Sequence, residues 1–197
     1  MLSICKFKTD ESQDIEKLVE QFEEEQGFSL PCDYRNFLIK YNGGYTPNTT
    51  IKQRRVTAFY GIGKLPIRGM SYDFFKTTEW HDRFKERGYL VIADTPSGDY
   101  FIIGVEGEQR GKIFFKYHDR MGRNAKIADS FREFVEKCVS EKAKLPKPVN
   151  KSIKKFEDLG RTQEWIDGMI PFWEEQYERM TKKRETQEQV ILEWEEK

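Results

Sequence analysis

The sequence predicts an α+β protein: a mainly antiparallel sheet flanked by helices, with a C-terminal helical extension. Three observations carry that prediction. Apolar residues recur three and four apart in 12–27, 30–43 and 130–139, the period of an amphipathic helix. Between the last two lie three short apolar runs, 89–93, 99–105 and 112–117, separated by Pro, Gly and Ser turns, as an antiparallel meander requires. Helices and strands are segregated rather than alternating, which argues against parallel βαβ units.

Each element has a local reason. Residues 1–8 read as a short strand or arm. Ser12 is placed to cap a first helix, and Asp14 suits its positive end. Ile15, Leu18, Val19 and Phe22 form its apolar stripe, and Gly27 closes it. The stretch 30–44, LPCDYRNFLIKYNGG, is a second helix with both ends marked. Pro31 fits the first turn, where its missing N–H is not needed. Leu30, Tyr34, Phe37, Leu38 and Tyr41 share one face. Asn42 and Gly43 stop the helix in a left-handed conformation, and Gly44 allows a sharp exit.

Residues 43–53, rich in Gly, Thr, Asn and Pro, read as a loop, after which Lys52, Arg54 and Arg55 lead into a β-rich run at 56–62. Residues 63–78 are irregular but hold Tyr72, Phe74 and Phe75, so this segment is expected to cover the core. Thr78 is placed to cap a short helix carrying Trp80 and Phe84, ended by Gly88. After the three strands, 118–126 is polar and basic. Ser130 and Glu133 make a capping box for a helix bearing Phe131, Phe134, Val135, Cys138 and Val139.

The chain divides by composition into a domain at 1–143, a Pro/Lys-rich linker at 144–161 and a helical extension at 162–197. In the extension Thr162 caps a helix with Trp165, Ile166, Met169 and Ile170, which Pro171 must kink or end. From Trp173 to Trp194 a 4-3 alternation continues through a polar middle, a poor pattern for a coiled coil. The tryptophans Trp165, Trp173 and Trp194 either dock on the main domain or meet a second copy, so self-association through these helices stays open.

Lysine plus arginine and aspartate plus glutamate both number 34 in 197 residues, so the net charge is zero. That balance argues against non-specific attraction to nucleic acid or anionic lipid. With 35% charged residues and a mean hydropathy of −0.80, a soluble protein is expected. No apolar run approaches the roughly 20 residues that span a bilayer, and the N-terminus lacks a secretion signal. Cys5, Cys32 and Cys138 are too widely spaced for a disulfide framework or metal site, which suits reduced thiols in the cytoplasm.

No catalytic constellation is visible. His81, expected on a helix surface, and His118, at a strand end, sit in no motif. Asp94 and Asp99 flank a turn and could pose as an acid/base pair, but aspartate is a favoured turn residue. No phosphate loop, nucleophile elbow or metal-binding pattern appears, so no cofactor and no metal are expected. Arg110, Lys112, Lys116, Arg120, Arg123 and Lys126 interleave with Phe114, Phe115 and Tyr117, a mixture that can bind nucleic acid or an acidic protein. A solvated strand face and loop is the preferred reading, because the neutral chain disfavours nucleic acid.

The wording of several stretches goes further than their physics. The string LP-x-x-Y-x-x-F-L-x-x-Y-N-G-G from Leu30 follows an acidic helix. It is followed in order by FYGI at 59–62, GYLVIA from Gly88, a turn with S-G-D before a strand, and DSF-x-EFV from Asp129. Together, over about residues 11 to 141, these resemble the SUKH superfamily, which contains bacterial immunity proteins and a fungal cell-wall-synthesis regulator. The expected element order is also that of the SUKH fold. The resemblance implies a non-enzymatic cytoplasmic protein that binds and occludes a cognate toxin domain in a polymorphic-toxin or contact-dependent inhibition system. The alternative it implies is a regulatory interaction scaffold like the fungal relative; a nucleic-acid-binding module is the outsider. Aromatic and arginine side chains dominate binding hot spots, which makes Arg54, Arg55, Tyr60, Tyr72, Trp80, Tyr100 and Arg120 the candidate contacts. Pro31, Tyr34, Phe37, Leu38, Asn42, Gly43 and Gly44 form the structural motif. The balanced charge, rather than an acidic one, leaves the class of toxin open.

Overall fold

The structure, a computed structural model, describes residues 1–7, 12–76, 79–119 and 124–192. A short strand, β1 (Ser3–Lys6), precedes helix α1 (Ile15–Gln26). The α1 cap is Asp14, which accepts the Lys17 N–H at 3.1 Å, rather than Ser12. An aspartate there satisfies an orphan donor and the helix dipole at once, which Ser12, lying two residues earlier, does not. Gly27 ends α1 at φ 74°. Glu23 then accepts from the Leu30 N–H at 2.6 Å and from Arg35 Nε at 3.2 Å, tying α1 to the next helix. That helix, α2 (Cys32–Tyr41), starts behind Pro31 and buries Tyr34, Phe37, Leu38 and Tyr41, the face given by their spacing.

The loop expected at 43–53 is a strand instead. β2 (Gly44–Ile51) pairs antiparallel with β1 and with β3 (Arg54–Phe59). Its threonines and Ile51 favour a pleated surface. Pro47 and Asn48, which mimic a loop in the sequence, sit where the register shifts between Tyr45 and Thr49, and Asn48 takes φ 37° there. A bulge absorbs both residues without ending the strand. Lys52 and Gln53 form the hairpin turn, at φ 44° and 63°.

Beyond a covering segment with α3 (Tyr72–Phe75) and α4 (Glu79–Lys85) comes the expected meander. Its strands are β4 (Tyr89–Asp94), β5 (Tyr100–Gly104) and β6 (Ile113–Lys116), all antiparallel. A further strand, β7 (Ala125–Ala128), pairs with β6 within the stretch read as polar and basic. Helix α5 (Phe131–Lys137) has the expected Ser130 cap, which accepts the Glu133 N–H at 3.0 Å. Glu133 reaches back one residue further than in a standard capping box, to the Asp129 N–H. The helix ends earlier than its apolar spacing suggested. Cys138 is extended, and β8 (Val139–Ser140) pairs with β2, leaving Val139 exposed.

The sheet order is β7-β6-β5-β4-β3-β2-β1-β9, with β8 sharing the β2 edge. Phe37 of α2 and Phe131 and Phe134 of α5 pack on Phe59 and Phe101 of the sheet, with ring centroids 5.0–6.1 Å apart. All five are fully buried.

The chain forms two compact units, Met1–Glu141 with the stretch from Glu188 onward, and Lys142–Gln187. In the first, β9 (Gln187–Gln189) adds to β1, and the Val190 N–H donates to Leu2 O at 2.9 Å. The Tyr41 hydroxyl accepts the Ile191 N–H at 2.8 Å and donates to Ile191 O at 3.2 Å. Ile191 is thus part of an edge segment, not of the helical stripe expected for it; the Tyr41 hydroxyl bonds both of its backbone groups. The second unit holds α6 (Val149–Asp158) and α7 (Gln163–Glu185). The α6 helix forms inside the stretch read as a linker, because Val149, Ile153 and Phe156 fall at helical spacing among the lysines. Pro171 lies within α7 rather than at a break. Phe156 packs on Trp165 and Trp173, with centroids 5.1 and 5.3 Å away. Trp194 lies outside the described residues, as does Thr78.

Candidate functional site

At one end of the sheet the β2–β3 turn, the β4–β5 turn and the end of β6 enclose a cleft of about 490 Å³. Its hairpin wall carries Lys52, Arg54 and Arg55; the facing wall carries Phe115, Tyr117 and Asp99. The hairpin is built by an uncommon choice. A two-residue turn that matches the twist of its strands needs positive φ at both positions, normally supplied by Asn-Gly. Here Lys52 and Gln53 adopt it, so two bulky side chains occupy the left-handed region.

Arg54 is fixed from several sides. Its guanidinium carbon lies 4.8 Å from the Phe115 ring centroid, a cation–π contact. Nη1 donates to Lys52 O at 3.1 Å and Nη2 to the Tyr117 hydroxyl at 3.4 Å. Nε is buried with no acceptor among the described residues. The Tyr117 ring meets Phe115 edge-on at 4.9 Å. Arg55 is exposed.

Asp99 is the single carboxylate on the cleft wall, and it is committed elsewhere. It accepts from the His118 N–H at 2.9 Å, from His118 Nδ1 at 2.8 Å and from the Ser97 hydroxyl at 2.8 Å. Burial pushes its carboxyl up, but these donors outweigh burial and hold it below the usual carboxylate range. Among the described residues no carboxylate pairs with Lys52, Arg54 or Arg55. The wall therefore carries three cations, of which Arg54 is held in place and Lys52 and Arg55 are exposed.

Ser97 donates to the Asp99 carboxylate, which His118 also bonds, so the imidazole meets the carboxylate and not the hydroxyl. Asp94 bonds to the Ala58 N–H at 3.0 Å, apart from the partners of Asp99. Burial pushes Asp94 up to about 6, with the Ala58 N–H acting against it. His81 is buried rather than on the surface, with Nε2 3.0 Å from the Gln26 side-chain oxygen, where it links α4 to α1. Among the described residues no group of His, Cys, Asp and Glu could hold a metal ion.

Of the candidate contacts, the cleft unites Arg54 and Arg55. Tyr72 belongs to the core: it is fully buried and donates its hydroxyl to Val91 O, with Tyr34 Oη 2.9 Å away. Tyr60 is buried beside it, ring centroids 5.7 Å apart. Both rings lie where the covering segment closes over the sheet, so they supply packing and no accessible surface. Tyr100 is half-buried with its ring edge on Phe84. Arg120 and Arg123 lie outside the described residues, and so does the Trp80 side chain. Three members of the basic cluster seen in 110–126 are engaged within the fold. Arg110 spends its guanidinium on the carbonyls of Ser29, Leu30 and Val105 at 2.6, 3.1 and 2.7 Å. Lys116 is buried, and Lys126 pairs with Asp129 at 2.8 Å.

Sequence reasoning gave no site role to Gln53 or to the turn at 95–97. The available signal was a polar pair, Lys52-Gln53, between two β-branched runs, which marks a hairpin tip. No helix among the described residues is long and apolar enough to cross a membrane. Compared with known protein families, residues 16–137 match the SMI1 / KNR4 family (SUKH-1). No curated protein and no solved structure matches the chain.

Proposed function

Because the chain belongs to the SMI1 / KNR4 family (SUKH-1), we propose that it is an immunity-type binding protein without a reaction of its own. It holds a cognate toxin domain in the cytoplasm of the producing cell and covers the surface through which that toxin acts. The supporting observation is the cleft wall of Lys52, Arg54 and Arg55, whose cations lack carboxylate partners among the described residues. Cations held in this way are suited to a protein surface that brings its own negative charge. Holding a lethal enzyme at nanomolar levels requires about 12 kcal/mol and roughly 1,600 Å² of buried surface. The cleft is then the centre of a larger contact, with Arg54 as its anchor.

The test is co-expression with toxin domains encoded beside this gene. Growth is rescued by the native chain, and the two proteins co-purify. Absence of both rescue and co-purification with every neighbouring toxin overturns the proposal.

A further inference from the structure

We infer that the Arg54 cleft is a receptor for carboxylate groups, taking an acidic loop or segment of a protein partner that lays Asp or Glu side chains against Arg54, Arg55 and Lys52. This deepens the binding reading above and relies on it for the partner's being a protein.

Three observations lead there. The first is charge. Three cations face the cleft against the single carboxylate Asp99, which is already engaged by His118 and Ser97. Asp99 keeps its negative charge, so an incoming anion meets the excess of three cations over one carboxylate.

The second is preorganisation. A free arginine loses rotamer freedom when it captures a carboxylate, and that loss weakens the complex. Arg54 has lost it beforehand, held by the Phe115 face, the Lys52 carbonyl and the Tyr117 hydroxyl. Two of its N–H groups have those acceptors; the others, Nε included, have none among the described residues. A planar donor fork in that state matches a planar carboxylate.

The third distinguishes protein from nucleic acid. Single strands are held by stacking bases on open aromatic faces. Here Arg54 already lies over the Phe115 ring and Tyr117 meets it edge-on. Among the described residues Lys116 is buried, Lys126 is paired with Asp129 and Arg110 is bonded to backbone carbonyls, so none of these three extends the cleft into a track for a phosphate backbone.

The test uses the full chain labelled for amide NMR and titrated with three probes: a short peptide of alternating Glu and Gly, the same peptide with Gln for Glu, and oligothymidylate. The Glu/Gly peptide is expected to shift amides at 52–55, 95–99 and 115–117, more weakly as salt is added. The double variant R54Q/R55Q is expected to lose at least about tenfold in affinity, and the single variant R55Q, at an exposed side chain, to lose part of that with an unchanged melting curve. The variant K151Q/K154Q, on α6, is expected to bind as the native chain does. Absence of shifts, equal binding of the Gln/Gly peptide, shifts centred elsewhere, or tighter binding of oligothymidylate each overturn the inference. Peptide binding without growth rescue removes the toxin reading and leaves the cleft chemistry standing. Rescue without peptide binding does the reverse.

Discussion

The side chain of Asn42 pairs with Ile62 as though it were a strand: Nδ2 donates to Ile62 O at 2.9 Å and Oδ1 accepts the Ile62 N–H at 2.7 Å. Asn42 also ends α2, at φ 47° with its own N–H on Leu38 O. One buried residue therefore terminates a helix and secures the chain leaving β3. Asn42→Ala leaves both backbone groups of Ile62 without a partner and is expected to cost roughly 2 to 4 kcal/mol in urea unfolding. Asn42→Gly relieves the positive φ but loses the same two bonds, so it is also expected to destabilise, by a smaller amount. A native-like midpoint for both variants would show that water replaces the amide at no cost.

Gly43 follows at φ 76°, and a Cβ there would fall 2.7 Å from Phe59 O and 2.9 Å from the Gly61 nitrogen. The obstacle is backbone, which cannot rotate aside. Gly43→Val is expected to lose at least about 2 kcal/mol, from the strained φ and the clash together. Thermal melting of the purified variant measures it, and an unshifted Tm contradicts the geometry.

Asp94 gives the pH dependence a definite sign. Burial raises its folded pKa from the ordinary carboxylate range to about 6. Between roughly pH 4 and pH 6 the folded state holds a proton that the unfolded state has released, so this residue makes stability fall as pH rises through that window. Asp94→Asn keeps an oxygen for the Ala58 N–H and removes the buried charge. The variant is expected to gain over the native protein between pH 4 and 6, with the gain level above that. Urea midpoints measured from pH 4 to 7 check this; parallel curves would place the Asp94 carboxylate in full contact with water.

The hairpin turn predicts a gain of stability. Gln53 takes φ 63° without being glycine or asparagine. Gln53→Gly removes the Cβ strain, worth about 1 kcal/mol or somewhat less once the freer unfolded chain is counted. The urea midpoint is expected to rise.

What could be read in advance followed the strength of the local signals. Tyr34, Phe37, Leu38 and Tyr41 recur on a helical period and are terminated by Asn-Gly-Gly, and α2 is where that pattern puts it. The runs 89–93 and 99–105 are too short and too apolar to be anything but inner strands. β2 was hidden because Pro47 and Asn48 are loop residues by composition, and a bulge that tolerates them is a property of the paired sheet. β7 was hidden because Ala125–Ala128 contains one large apolar residue, Ile127, and gains its strand character from β6. The cleft was half legible: Arg54 and Arg55 stand out as charges before a strand. Phe115 reaches Arg54 from a strand that is not its neighbour in the sheet, which no local pattern records, and Tyr72 is buried because the segment that carries it folds inward.

The bond from Val190 to Leu2 has a bearing on how the protein is made. On the ribosome β1 is made about 180 residues before the segment that covers its outer edge. For that interval the nascent sheet offers a bare row of amides and carbonyls to any neighbouring chain. A ribosome stalled within α7 would release a polypeptide whose family core is complete and whose margin is sticky, a species that a chaperone must hold or a protease must clear.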